Sequence, residues 1–376
     1  MDPAIRLLHD LVAIDSVNPT LVPGAAGEAA IADAIGHAMR CLGLDVTTEL
    51  VAEGRPNVIG VLEGRTAGRT LMLCGHTDTV GVAGMTDPFT PRVRDGRLYG
   101  RGSQDMKGGV AAMIAAAGVI AERGLPSGRL VIAAVVDEEH SSIGADALVQ
   151  GWRADAAVVT EPTDLQIAVG HKGFEWIQIE VAGKAAHGSR PAEGEDAILR
   201  LGRVLARLEA LDRDLQRRPP HPLVGTGSLH ASLVTGGREW SSYPDAAMLQ
   251  MERRTLPGES GTAGIDEVIR ICRELASEDP TFRVNALQKF SRPGYEIPQN
   301  HELTRTLAES LSKVGGAPVV AGASFWTDAA ILGLAGIPSV LFGPGGAGLH
   351  SVEEHVVLAD VLCCRDTLVE LTGAFC

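Results

Sequence analysis

The chain has 376 residues, 45% of them apolar and 21% charged, with a formal net charge of −14. That length exceeds what one hydrophobic core ordinarily organises and predicts two domains, while the composition excludes a disordered polymer. The negative charge, offset by no basic run, argues against nucleic acid or an anionic membrane surface as a partner.

The first residues lack a basic region, and 5–14 combine apolar periodicity with His9 and Asp10, which predicts an amphipathic first helix and not a secretory leader. Strands are expected at 57–62, 70–74, 130–136, 156–160 and 165–169. Several are apolar throughout, as strands covered on both faces are, and an Ala-rich helix over 109–121 supplies one crossover. The most apolar stretch, 110–121, is shorter than the roughly 20 residues a bilayer span needs, so no membrane segment is expected. The fold class is α/β, with a mixed, largely parallel sheet flanked by helices.

The middle of the chain changes character. A strand at 176–181, a helix at 197–211, strands at 229–235 and 246–252, a helix at 265–276 and a strand at 283–289 follow in turn. This βαββαβ order is that of a ferredoxin-like inserted domain. From 293 the α/β pattern returns, with a strand at 338–342 and a closing helix after Leu358. The expected organisation is a catalytic domain split into 1–174 and 293–376, interrupted by an insert at 175–292. Six cysteines lie scattered with no CxxC pair, which suits a reducing, cytoplasmic compartment. Cys74, beside the run Leu71-Met72-Leu73, is expected to be a buried thiol and not a metal ligand.

In open α/β sheets, ligands bind beyond the carboxyl ends of the strands. Here strand 70–74 is followed by His76 and Asp78, strand 130–136 by Asp137, Glu138 and Glu139, strand 156–160 by Glu161, and strand 338–342 by a Gly-rich loop and His350. Asp105 stands at the mouth of the long helix. Each taken singly is an ordinary polar turn or an N-terminal cap; a carboxylate or imidazole past each of four strand ends points to a metal site. Gly343-Pro344-Gly345-Gly346-Ala347-Gly348 fits a dinucleotide fingerprint, but it carries an internal Pro and opens no βαβ unit. It is read as the bend that turns His350 back.

The motifs Gly75-His76-Thr77-Asp78-Thr79-Val80, 100–109, Asp137-Glu138-Glu139, Thr160-Glu161-Pro162, Gly183-Lys184-Ala185-Ala186-His187-Gly188-Ser189 and His350-Ser351-Val352-Glu353-Glu354 resemble, in this order, those of the co-catalytic zinc hydrolases. That family includes acetylornithine deacetylase, succinyl-diaminopimelate desuccinylase, aminoacylase and glutamate carboxypeptidase. The resemblance implies two divalent ions, zinc first with cobalt or manganese as alternatives. Asp105 would bridge them, His76 and Glu161 would complete one set and Glu139 and His350 the other. It further implies Glu138 as general base and Asp78 as the carboxylate accepting the other ring N–H of His76. Asp137 and His140 are read as structural or solvent-facing. His187 would steady the oxyanion, often across a dimer, and Arg254 would grip a substrate carboxylate; its neighbour Arg253 faces the other way and is read as structural. Ser241 occupies a substrate-binding position where many relatives have Asn. The expected activity is hydrolysis of an N-acyl amino acid, acetylornithine deacetylase-like or desuccinylase-like, by a homodimer joined through the insert. A metallocarboxypeptidase or dipeptidase is the alternative, and a catalytically silent metal-binding homologue a third reading.

Overall fold

The uninterrupted apolar runs form the middle of one large sheet. In the computed structural model, which describes residues 1–376, seven of its nine strands lie in the order Asp45–Ala52, Arg55–Glu63, Ser127–Val135, Thr66–His76, Ala156–Val159, Ser339–Leu341 and Ile167–His171. The three central pairings are parallel, and the flanking ones are antiparallel. Register sets the geometry of everything that follows: His76 is opposite Val135, Cys74 opposite Val159, and Val159 opposite Leu341. Four parallel strands therefore finish at nearly the same level, and the loops that leave them start side by side.

The central strands read as continuous hydrophobes because helices cover both faces. Gly108–Arg123 is buried almost all round, with Val110, Ala111, Ala112, Met113, Ile114, Ala116 and Ala117 at 1% exposure or less. It packs against Pro3–Val12, which Asp2 caps through the Ala4 amide at 2.8 Å, and against Leu358–Phe375. Each fully buried Ile or Val here contributes about 1.5–3 kcal/mol. The helix starts hard against the sheet: a Cβ on Gly109 would lie 1.9 Å from the carbonyl oxygen of Thr160. Only glycine permits that approach, and it brings the helix entrance, with Asp105, beside the strand end that carries Glu161.

The chain forms two units, Met1–Val169 with Ile297–Gly322 and Thr327–Cys376, and Gly170–Glu296 with Ala323–Trp326. The junctions expected at 174/175 and 292/293 thus lie a few residues further out, because Lys172 alone separates the strand ending at His171 from the one starting at Gly173. The second unit is a four-stranded antiparallel sheet ordered Ser228–Gly236, Ala246–Thr255, Gly173–Ala182, Arg283–Arg292. Helices Ala197–Arg217 and Ala263–Glu278 pack on the face carrying Ile177, Ile179, Val181, Leu249 and Met251. This is the βαββαβ arrangement. No helix of the protein is long and apolar enough to cross a membrane.

Not foreseen from the sequence are the edge strand Asp45–Ala52, none of whose residues is buried, and helices such as Ala29–Cys41 and Glu302–Lys313. The same holds for a small sheet of very short strands, Gly346–Ala347, His355–Val357, Arg97–Tyr99 and Arg92–Arg94. Strands of two or three residues are too short for alternation to register.

Candidate metal centre

Six acid and imidazole side chains meet where the parallel strands end. His76 closes Thr66–His76; Glu138 and Glu139 lie in the turn after Ser127–Val135; Glu161 follows Ala156–Val159. Asp105 sits in Ser103–Lys107 with non-helical backbone (φ −116°, ψ 96°) and is followed by a cis peptide. His350, with φ 58°, ends the glycine-rich loop after Ser339–Leu341.

Asp105 is the common member. Its Oδ1 lies 3.1 Å from His76 Nε2 and its Oδ2 3.4 Å from His350 Nε2, while His350 Nε2 is 3.2 Å from Glu139 Oε2. Ligand atoms of His76, Asp105 and Glu139 all fall within 4.8 Å of one another, as do those of His76, Glu138 and Glu161. Glu138 Oε2 is 4.0 Å from His76 Nε2.

Such crowding is costly unless positive charge joins it. Burial, with Asp105 nearby, pushes Glu139 up to about 7, and burial with Glu161 nearby raises Glu138 well above the carboxylate range. Burial also raises Glu161 well above it, Asp105 adding to the effect. On Asp105 burial is overcome by hydrogen bonds from His350 and His76, which hold it far below its usual value. Hydrogen bonds to Asp105 and Glu139 raise His350 to about 10. Glu139 Oε1 is buried without a hydrogen-bond partner. Carboxylates and imidazoles in this proportion, with an acceptor left open, fit divalent cations of the zinc, cobalt or manganese kind.

A second layer of polar groups holds these side chains. Asp78 accepts the Glu138 amide at 3.1 Å, the Glu139 amide at 3.2 Å and Asn18 Nδ2 at 2.8 Å. The expectation that its carboxylate takes the His76 ring N–H needs correction: Nδ1 is 3.0 Å from the Asp78 backbone carbonyl and 3.6 Å from the carboxylate. The carboxylate is occupied by the amides of Glu138 and Glu139, so it positions that turn more directly than the imidazole. Asp137, with φ 69°, is buried and structural, not solvent-facing. It meets Arg55 Nη2 at 2.8 Å and Asn18 Nδ2 at 3.0 Å, and Arg55 in turn donates to Glu28.

Other residues singled out from the sequence lie elsewhere. His187 and Ser241 are exposed in the second unit; His187 Nδ1 is 2.8 Å from Ser189 Oγ, and the Ser241 carbonyl accepts the Gly188 amide at 2.7 Å. Arg254 is half-buried in the same unit, its Nε 2.6 Å from Glu252 Oε1 and its guanidinium over the Phe174 ring. Its neighbour Arg253 is buried between Glu259 and Glu267. Cys74 is fully buried, and burial raises its thiol well above the usual value. Sequence reasoning missed Asn18, Glu28, Arg55 and Asp328, the last a buried carboxylate whose charge acts on Glu138 and Glu161. It also gave no role to Glu354.

The profile of Peptidase family M20/M25/M40 matches residues 72–373. The chain is 33% identical over 332 residues to an acetylornithine deacetylase of Myxococcus xanthus, covering 85% of this chain and 84% of that protein. Among solved structures it is similar to a tripeptidase of Staphylococcus aureus (TM-score 0.82, 24% identity, 99% and 98% of the two chains). It is likewise similar to a dinuclear metal-binding peptidase of family M20 from Bacillus subtilis (TM-score 0.76, 17% identity, 99% and 97%).

Proposed function

The chain belongs to peptidase family M20/M25/M40, and on that premise we propose that it removes the acyl group from an N-acyl amino acid, with two divalent metal ions bound at the strand ends. The observation that carries this reading is the convergence of His76, Asp105, Glu138, Glu139, Glu161 and His350 within hydrogen-bonding or metal-ligating reach. Asp105 would be shared between the ions, with His76 and Glu161 completing one ligand set and Glu139 and His350 the other. Zinc is the proposed metal, with cobalt or manganese able to take its place. When bound, two such ions polarise the amide carbonyl and acidify a water. Glu138, buried in this cluster with its amide held by the Asp78 carboxylate, would accept a proton from the attacking water and return it to the leaving amine.

Arg254 is proposed to bind the substrate carboxylate, and Ser241 to be a separate substrate contact. The likeness to an acetylornithine deacetylase supports a deacylase; the likeness to a tripeptidase keeps cleavage of small peptides as the second reading. Rates on N-acetyl amino acids, N-succinyl amino acids and dipeptides, measured with and without added zinc, cobalt or manganese, decide between them. Metal-stimulated turnover is expected to be highest on an N-acyl amino acid. Hydrolysis confined to peptides transfers the assignment to the peptidase, and hydrolysis of nothing by the metal-loaded protein leaves a silent homologue.

The active form is a homodimer built through the second unit, with His187 serving the partner's centre. Supporting this, edge strand Ser228–Gly236 exposes Leu233 (63%) and Val234 (64%), and Leu199 and Trp240 are exposed nearby in sequence or on the same unit. An uncovered apolar edge of this kind invites pairing with a second chain. Sedimentation of the wild type is expected to give a dimer and of Leu233→Lys/Val234→Lys a monomer with low activity; a fully active wild-type monomer would overturn the arrangement. Six free cysteines support a cytoplasmic location.

A further inference from the structure

Two loops bring Asp105 and His350 together, and one buried carboxylate fastens them to each other. Glu354 is fully buried, the sole buried residue of the stretch 347–354. It accepts from Arg101 Nη1 at 2.5 Å and from the amides of Gly102 at 3.0 Å, Gln104 at 2.9 Å and Asp105 at 3.1 Å. Its own carbonyl takes the Gly100 amide at 3.2 Å. Arg101 completes the fastening from the other side: Nη2 donates to the carbonyls of Ser351 at 3.1 Å and Gly81 at 3.0 Å.

The two halves of the metal centre differ in how they are held. His76 belongs to a strand and Glu161 follows one closely, so sheet hydrogen bonds and helix packing fix both. His350 has a side chain 55% exposed, comes two residues after Gly348 at φ 91°, and sits in a loop whose neighbours on either side are exposed. Nothing regular holds it. The nearest buried anchor on its own loop is Glu354, and that anchor is bonded to the backbone of Asp105 itself.

We propose that Arg101 and Glu354 are positioning residues that set the metal affinity of the half-site formed by Asp105, Glu139 and His350. This inference rests on the dinuclear reading above. Both carboxylate oxygens of Glu354 are taken up by Arg101 and the three amides. Glu354 acts by fixing the distance between two ligand-bearing loops, and its truncation leaves three amides and Arg101 Nη1 without the acceptor they share. Residues that orient metal ligands in this way typically govern affinity by roughly 10–100-fold.

The test is metal binding by the full-length chain, stripped with chelator and titrated with Zn²⁺ in a calorimeter, alongside thermal denaturation. In Glu354→Gln the amide oxygen can still accept from Gln104 and Asp105, but the NH₂ group opposes the Gly102 amide and Arg101. One of two binding events is expected to weaken by roughly 10–100-fold, the other by far less. Excess metal should restore most of kcat with KM little changed. Arg101→Met keeps the three amide bonds and is expected to show the same pattern at reduced size, which keeps the test alive should Glu354→Gln fold poorly. Two unchanged events, or two events weakened equally in a folded variant, overturn the positioning role. A wild type that takes up a single ion overturns the dinuclear reading instead, and this inference with it.

Discussion

Glu138→Ala is expected to lower kcat by about 10²–10⁴-fold, the usual contribution of a positioned general base, while the purified protein keeps its full metal content. The two halves of that result answer different questions. Geometry alone leaves Glu138 two roles, because its carboxylate lies in one cluster with the His76 imidazole and the Glu161 carboxylate. A ligand removed takes metal with it; a base removed does not. His76→Ala and Glu161→Ala are therefore the necessary controls, each expected to lose metal and activity together. Metal analysis of the dialysed variants, run beside steady-state rates at saturating substrate, makes the distinction. Undiminished turnover in Glu138→Ala would sink the base assignment, and metal loss matching that of His76→Ala would make Glu138 a ligand.

The fold and the clustering of these acid and imidazole side chains were legible because both are written locally. A strand covered on both faces is a run of Val, Ile, Leu and Ala, and the residue after such a run lies at the sheet's ligand-binding edge. His76, Glu138, Glu139, Glu161 and His350 could be picked out one strand end at a time. What holds them was not legible, since burial of a charged residue depends on the chain packed over it. Glu353 and Glu354 are adjacent and chemically identical, yet the first is exposed and the second buried under the Asp105 loop. Arg55 follows Gly54 in what reads as a surface turn, and its side chain is only 8% exposed. Its partners Glu28 and Asp137 are distant in sequence. The role given to Asp78 needed correction for the same reason: a carboxylate two residues after a ligand imidazole suggests one hydrogen bond, but three donors from elsewhere claim it.

Arg55→Met is expected to cost about 3–5 kcal/mol of stability at neutral pH, the range for breaking a buried ion pair by removing one partner. At the size of the first unit this is a fall in Tm of roughly 10 °C. Arg55 donates through Nε to Glu28 Oε2 at 2.9 Å, through Nη2 to Asp137 Oδ1 at 2.8 Å and through Nη1 to Thr20 Oγ1 at 2.9 Å. Glu28 and Asp137 have 0% and 1% of their side chains exposed. Methionine fills much the same volume and leaves two buried carboxylates facing each other's field with no cation. Burial already raises Glu28 in spite of Arg55, while on Asp137 burial is outweighed by Ser141, Asn18 and Arg55, which hold it low. Loss of the guanidinium shifts both upward. The variant then binds protons more readily than the wild type in its folded state, so its deficit is expected to be largest above neutral pH and to shrink as acid neutralises the pair. Denaturation curves at several pH values measure this directly. Glu28→Gln/Arg55→Met should recover part of the loss, since it removes one of the stranded charges. Because Asp137 anchors the turn that aims Glu138 and Glu139, kcat is expected to fall as well, even at temperatures where the variant is fully folded. A deficit that is small, or that does not vary with pH, would mean water reaches these carboxylates and the network is not what fixes the turn carrying Glu138 and Glu139.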